Sequence, residues 1–401
     1  MILKHFTPIL AAIMVAIAAV ACSSEASVYP HAEGTSFVVD GQKTAFVGTN
    51  LWYAGRLAET EEGLVRLRAE LDALKGIGIT NLRVIATQGE NIEGLRTALR
   101  EMEERNMYAV LFLNNTWNWT YGYREYVAAV NGTEVDATAD TDHSFCTNKE
   151  AIALSQEHIR AIVPQLRDSK AIFSWQICNE PRCFSTAPEV QDAFVDYICS
   201  TAKLIKELDP NHMVSTGSEG TVGCDFSLEV FERIHSCPDI DYANFHIWPL
   251  NWSWISKEDV EGGIGNAIEE AGRYIDTHVA SCRKMGKPLV LEEFGFPRDG
   301  FQFAKGTPAS ARDKFYSYVF GRIVESWEND GVFAGCNFWG WGGMAEQNPD
   351  SIWWQEGDDF CGDPKQEQQG LNSVYLSDES TINIIKEATQ RLKNQHIFNN
   401  K

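Results

Sequence analysis

Residues 173–184 read FSWQICNEPRCF, and the fold turns on how that run ends. An apolar, strand-like stretch closes abruptly on Asn179 and Glu180, and Pro181 follows at once. Proline has no N–H and cannot extend a ladder, so the strand delivers an amide and a carboxylate to its own C-terminal end. Polar groups gathered at strand C-termini suit a parallel barrel, whose functional residues collect on that face.

Seven further runs have the same strand-like character. TAFVGTN (44–50), ITNLRVI (79–85) and MYAVLFLNN (107–115) precede AIFSWQICN (171–179). HMVSTG (212–217), DIDYANFH (239–246), PLVLEEFG (288–295) and VFAGCNFWG (332–340) follow it. Helical patterns lie between them. Leu64, Leu67, Leu71 and Leu74 share a face, as do Val190, Phe194 and Ile198, and Phe315, Val319 and Ile323. Alternating strands and helices over residues 34–401, with no internal linker, predict a single-domain (β/α)8 TIM barrel of the α/β class. A doubly wound sheet is the rival, but no G-x-G-x-x-G follows the first strand.

The strand ends supply Asn50 with Trp52, Arg83, Asn115 with Trp117, Asn179 with Glu180, His246 with Trp248, Glu293, and Trp339. Crowding such groups on one face is costly unless they meet a ligand. Glu180 and Glu293 end the fourth and seventh strands, which face each other across a barrel mouth. Taken singly, Glu180 reads as a helix-entry residue and Glu293 as a rim salt bridge. Taken together they match the paired carboxylates of retaining glycoside hydrolysis, one donating a proton and one attacking the anomeric carbon.

The bulk properties agree with a neutral substrate. A formal net charge of −22 makes nucleic acid or an anionic membrane surface a poor partner. Twelve tryptophans suit a ligand that is flat and partly apolar, as a sugar ring is. The N-terminus carries Lys4 and an apolar run from Ile9 to Ala21, the order of a secretory signal. Cys22 after Ala19-Val20-Ala21 resembles a bacterial lipobox, with an ordinary signal peptide as the alternative. The expected layout is a signal over 1–21, lipidation at Cys22, a tether over 22–33 and the catalytic barrel from 34. The protein would then be an exported lipoprotein of the outer membrane, on its periplasmic or cell-surface face, touching the membrane through its anchor alone. No Cys/His set has zinc-ligand spacing. Cys178 with Cys183, or Cys224 with Cys237, are disulfide candidates on proximity, with the connectivity open.

WQICNEPR and LEEFGFP together resemble the two signature motifs of glycoside hydrolase family 5. The resemblance implies Glu180 as general acid/base and Glu293 as nucleophile, with Glu292 on the opposite side of the strand if alternation holds. It also implies Asn179 on the sugar 2-hydroxyl and Arg83 steadying the nucleophile. GTNLWY (48–53), LNNTWNWTYG (113–122), NFHIWPLNW (244–252), NFWGWGG (337–343) and QQGLNSVYLSDEST (368–381) narrow the likeness to the β-mannanase branch. By that likeness His246 and Trp248 line the catalytic subsite, Trp339 underlies the −1 sugar, and Trp117 and Trp52 stack neighbouring sugars. Trp248 replaces the tyrosine common in the family, and the segment before the fourth strand is shorter than its pattern.

The implied partner is a β-mannan-type polysaccharide or oligosaccharide, cleaved by double displacement. Carboxylates and water suffice for that chemistry, so no metal or cofactor is expected. β-Glucan or short manno-oligosaccharides are alternative substrates. A glycan-binding protein on the same scaffold would need the tryptophans but not both carboxylates.

Overall fold

The computed structural model describes residues 29–398; the expected signal segment and Cys22 lie outside the described residues. The chain opens with a small antiparallel meander, β1 (His31–Glu33), β2 (Ser36–Val39) and β3 (Gln42–Thr44). β1 occupies the end of the segment read as a tether. Eight parallel strands follow: β4 (Phe46–Asn50), β5 (Asn81–Ile85), β6 (Tyr108–Phe112), β7 (Ile172–Gln176), β8 (Met213–Ser215), β9 (Ala243–Ile247), β10 (Leu289–Phe294) and β11 (Phe333–Phe338). Seven fall inside predicted runs, and β9 extends one residue past its run, to Ile247. Their order, β8-β7-β6-β5-β4-β11-β10-β9, leaves only the β8/β9 seam without a ladder. Asp241 N–H donates to Val214 C=O across it (2.9 Å), and His246 N–H donates to Glu219 C=O (3.3 Å). The sheet is therefore a nearly closed barrel with helices outside.

The helices dock as their periodicity predicts. Thr60 caps the helix Glu61–Gly76 by accepting from Gly63 N–H, and Leu67, Leu71 and Leu74 are fully buried against the strands. Phe194 and Ile198 do the same from Pro188–Leu208, and Phe315, Val319 and Ile323 from Ser310–Glu328. Cys199 and Cys237 form a disulfide. The two pairings suggested by proximity are not made: Cys178, Cys183 and Cys224 are free and buried. Tertiary packing, rather than sequence distance, brings the bonded pair together with Cα atoms 5.5 Å apart.

Inside the barrel the lower layer is apolar. Phe37 of β2 enters from below, meeting Phe46, Phe173 and Tyr242 at ring-centroid distances of 6.0, 5.1 and 5.3 Å. Val110, Met213, Val290 and Ala334 complete the cluster. Above it lies a polar layer of Ser174, Gln176, Asn244, Glu292, Arg83 and Asn50, all fully buried.

β10 departs from simple alternation. Against β9, Leu291 pairs with Phe245 but Glu293 pairs with His246, so one extra residue is inserted at Glu292. Val290 belongs to the lower cluster, and the Glu292 carboxylate bonds Gln176, Asn244 and Tyr242 inside the barrel. The expectation that Glu292 points away from the site is corrected here. Alternation sends Glu292 inward, and the bulge then turns Glu293 to the same side, a common use of a bulge beside a functional site.

The plug supports a prediction. Phe37→Ala should cost roughly 3–5 kcal/mol, the range for a buried aromatic truncated to alanine. Denaturant unfolding of the variant measures it; a loss below about 1 kcal/mol would mean that the meander is not part of the barrel core.

Candidate active site

The end of β7 is an unusual piece of backbone. Glu180 has φ 52°, in the left-handed region that costs a non-glycine residue about 1–2 kcal/mol. The neighbouring strand ends hold it there. Asn179 N–H donates to Asn114 C=O (2.8 Å), and Glu180 N–H donates to Gly217 C=O (3.0 Å). Gly217 itself has φ 84°, and a Cβ there would sit 1.7 Å from the Cys178 carbonyl oxygen. Only glycine fits, so the turn after β8 can approach close enough to pin Glu180.

Arg83 of β5 organises the floor. Its Nε donates to Gln176 Oε1 (2.8 Å), Nη1 to Asn50 Oδ1 (3.1 Å) and to Glu293, and Nη2 to Asn179 Oδ1 (2.7 Å). Asn179 Nδ2 in turn donates to Asn115 Oδ1 (2.9 Å). His246 Nδ1 lies 2.9 Å from Glu180 Oε1 and 3.3 Å from Glu293 Oε2. One carboxylate oxygen from each glutamate and a ring nitrogen of His246 all lie within 4.8 Å of one another. Burial pushes the His246 imidazole well below its ordinary pKa, and the Arg83 charge adds to that, so His246 is neutral.

Glu180 receives N–H groups from two indoles, Trp117 on Oε2 and Trp248 on Oε1 (3.3 Å). Trp248 thus addresses Glu180 rather than Glu293. Burial raises the pKa of both carboxyls, Glu293 well above the ordinary range. Arg83 opposes this at Glu293, whereas the Glu180 charge adds to it.

A cavity of about 500 Å³ opens over these groups. Asn179, Glu180, Glu293, Trp117, Trp248 and Trp339 all border it. Arg83 and His246 are fully buried beneath. Trp52 departs from expectation: it is 1 % exposed, its indole N–H donates to Gly362 C=O (3.1 Å), and it is absent from the cavity wall. Trp119 packs edge-on against both Trp52 and Trp339, with centroids 6.0 Å apart in each case, and lines the cavity instead.

Sequence reasoning missed three other features. Arg182 forms a two-pronged pair with Glu219 and lies 5.1 Å over the Trp117 ring. Glu219 follows β8 closely, so a wider window at the fifth strand end would have caught it. Burial, then the Glu180 charge, pushes its pKa up to about 7. The loop after β11 supplies Gln366, Glu367, Leu371 and Asn372 to the wall. Asp363 anchors that loop by accepting from the N–H groups of Gly370, Asn372 and Ser373 at 2.8, 2.8 and 3.1 Å.

Comparison with known proteins agrees with this geometry. The chain matches the family described as GH family 5 beta-mannosidase-like over residues 28–93 and 88–396. It is 28% identical to mannan endo-1,4-beta-mannosidase F of Aspergillus clavatus over 327 residues, 71% of this chain and 70% of that protein. A glycoside hydrolase family 5 mannosidase from Rhizomucor miehei superposes with a TM-score of 0.79 at 26% identity, covering 92% of this chain and 99% of that one. A glutamate-to-alanine variant of a Rhizomucor miehei family 5 mannosidase, solved with mannosyl-fructose, gives a TM-score of 0.78 at 26% identity over 92% and 98% of the two chains. The chain belongs to glycoside hydrolase family 5, in its β-mannosidase-like group.

Proposed function

We propose that this protein hydrolyses β-1,4-mannosidic bonds in mannan, glucomannan or galactomannan by double displacement, with Glu293 as nucleophile and Glu180 as general acid/base. The observation that carries the mechanism is the approach of the two carboxylates, with oxygens within 4.8 Å. Retaining enzymes hold the pair about 5–5.5 Å apart, and inverting enzymes leave about 6.5–9.5 Å for a water. The substrate class rests on the family and on the relatives named above.

The resting pair shares one proton, because two buried carboxylates at this range do not both ionise readily. That proton belongs on Glu180. Arg83 gives Glu293 a full positive charge by direct contact, whereas the donors to Glu180 are neutral indoles and a neutral imidazole. Arg182, the neighbour that most lowers the Glu180 pKa, makes no direct contact with that carboxylate and is paired with Glu219 instead. Glu293 then attacks the anomeric carbon as Glu180 protonates the departing oxygen. In the second half, Glu180 takes a proton from water, which breaks the glycosyl ester.

A second reading, cleavage of short manno-oligosaccharides from one end, is favoured by Glu367. Its carboxyl lines the cavity, and its Oε2 has no protein partner. Burial, with the Asp363 and Glu180 charges, pushes its pKa up to about 8. A group poised between charge states could hold the hydroxyls of a terminal sugar. Attachment to an outer membrane through Cys22 also remains part of the proposal; metabolic labelling with a fatty acid, lost in Cys22→Ser, would support it.

Glu180→Ala should lower kcat on mannan by about 10²–10⁴-fold, the usual contribution of a general acid or base. Glu293→Ala should lower it further, with circular dichroism unchanged in both. Leaving-group chemistry separates the roles. On an aryl mannoside whose phenolate departs unaided, glycosylation by Glu180→Ala should recover and lose the alkaline limb of its pH profile, while Glu293→Ala stays inactive. Recovery by Glu293→Ala would reverse the assignment. Proton NMR of the first product should show a retained β anomer.

Chromatography of early products from mannan, glucomannan, carboxymethylcellulose and mannotetraose decides the substrate. A spread of oligosaccharide sizes from mannan fits internal cleavage. Mannose as the sole early product fits the terminal reading, and preferential attack on carboxymethylcellulose would overturn both.

A further inference from the structure

Glu292 is fully buried beside Glu293 and has no part in the chemistry above. Its carboxylate accepts from Gln176 Nε2, from Asn244 Nδ2 (2.6 Å) and from Tyr242 OH (3.0 Å). Its backbone carbonyl accepts from Asn50 Nδ2 (2.9 Å), which also reaches the carbonyls of Asn337 and Phe338 at 3.3 Å. Gln176 and Asn50 are the two amides whose oxygens accept from Arg83 Nε and Nη1.

The shape of an amide does not decide which end points where; its hydrogen-bond partners do. Burial raises the Glu292 pKa, while the Arg83 charge and the three donors favour its ionised form; an ionised carboxylate and a carbonyl only accept. The Glu292 carboxylate therefore draws the NH2 end of Gln176 toward itself, as three backbone carbonyls draw that of Asn50, and both oxygens are left facing Arg83. The guanidinium has five donors and no acceptor. Were Gln176 reversed, an NH2 group would oppose Arg83 Nε, and relief would require the guanidinium to tilt. Tilting carries Nη1 off Glu293 and Nη2 off Asn179.

We propose that Glu292 is a positioning residue, whose carboxylate sets the donor–acceptor polarity of Gln176 and through it aims Arg83 at Glu293. The inference rests on Glu293 being the nucleophile. The bulge in β10 is what makes both roles available to adjacent residues: the first glutamate reaches the polar layer, and the second reaches the cavity.

Glu292→Gln acts on Glu293 in two opposed ways. Glu293 faces Arg83 from β5, Glu180 from the end of β7 and His246 from β9, with Glu219 beyond β8. Glu292 faces Gln176 from β7, Tyr242 and Asn244 from β9, and the Arg83 charge. Removing a negative charge near Glu293 would by itself lower the Glu293 pKa and move the acid limb of kcat/KM to lower pH. Losing the aim of Arg83 destabilises the ionised form and moves the limb to higher pH. Positioning predicts the upward movement.

The test uses 2-deoxy-2-fluoro-β-mannosyl fluoride. The attacking carboxylate forms a C1–O bond as fluoride departs with the electrons of the C1–F bond, and the ester accumulates. Mass spectrometry of the labelled wild type should place the sugar on Glu293; a label on Glu292 would overturn the nucleophile assignment and this proposal with it. Glu292→Gln should label Glu293 about 10-fold to 10²-fold more slowly, the scale of an ångström-sized misplacement, with the acid limb raised. Glu292→Asp, which keeps an acceptor-only group, should recover part of the rate. Labelling of Glu293 at the wild-type rate in Glu292→Gln, or an acid limb unmoved or lowered, would overturn the positioning role while leaving the nucleophile in place. If Glu292→Gln does not fold, Gln176→Leu removes the amide link and must slow labelling and raise the limb in the same way. Wild-type behaviour of that variant would likewise overturn the proposal.

Discussion

The buried guanidinium of Arg83 is the constraint on which the rest of the site depends. It sits in the middle of the barrel, fully buried and 4.7 Å over the Phe112 ring. A cation there is tolerable only if its donors are met and its charge is balanced. Gln176, Asn50, Asn179 and Glu293 meet them, from three strands and their ends, β7, β4 and β10. Each of those residues also contacts something else in the cavity or its floor. The guanidinium therefore fixes the relative placement of three amides and one carboxylate carried on backbone far apart in sequence. The aromatic plug below supplies the complementary constraint, keeping water out from the N-terminal side.

Much of this was legible in the chain. The eight runs became eight strands because apolar residues ending in amides, carboxylates and aromatics mark a strand C-terminus wherever they fall. Pro181 marked the end of β7. What escaped was decided by geometry that periodicity does not encode. The LVLEEF run gives no local sign of its extra residue, so strict alternation could not put Glu292 and Glu293 on the same side. Both Trp52 and Trp119 follow strands closely, and only loop packing decides that the first is roofed over while the second faces the cavity. The meander was overlooked because strands as short as HAE and QKT carry too few residues to show a period.

Arg182 and Glu219 illustrate a different kind of miss. Each is an ordinary residue in its own loop, and only the closeness of the β7 and β8 ends makes them a pair. Their effect is electrostatic: burial raises the Glu180 pKa, and Arg182, itself paired with Glu219, is the neighbour that lowers it most.

The Cys199–Cys237 bridge spans the shortest of the barrel strands. It joins the helix before β8 to the segment after the helix Leu228–His235, so β8 lies inside the closed loop. A sequence separation of 38 corresponds to about 4 kcal/mol of lost chain entropy in the unfolded state, on the simplest polymer estimate. That restraint falls beside the β8/β9 seam, where the ladder is missing and a few cross-seam hydrogen bonds do the closing. The covalent link thus acts as a hoop at the weakest stave. Thiol reduction would remove that restraint from the segment carrying Gly217 and Glu219, and so from the backbone that pins Glu180.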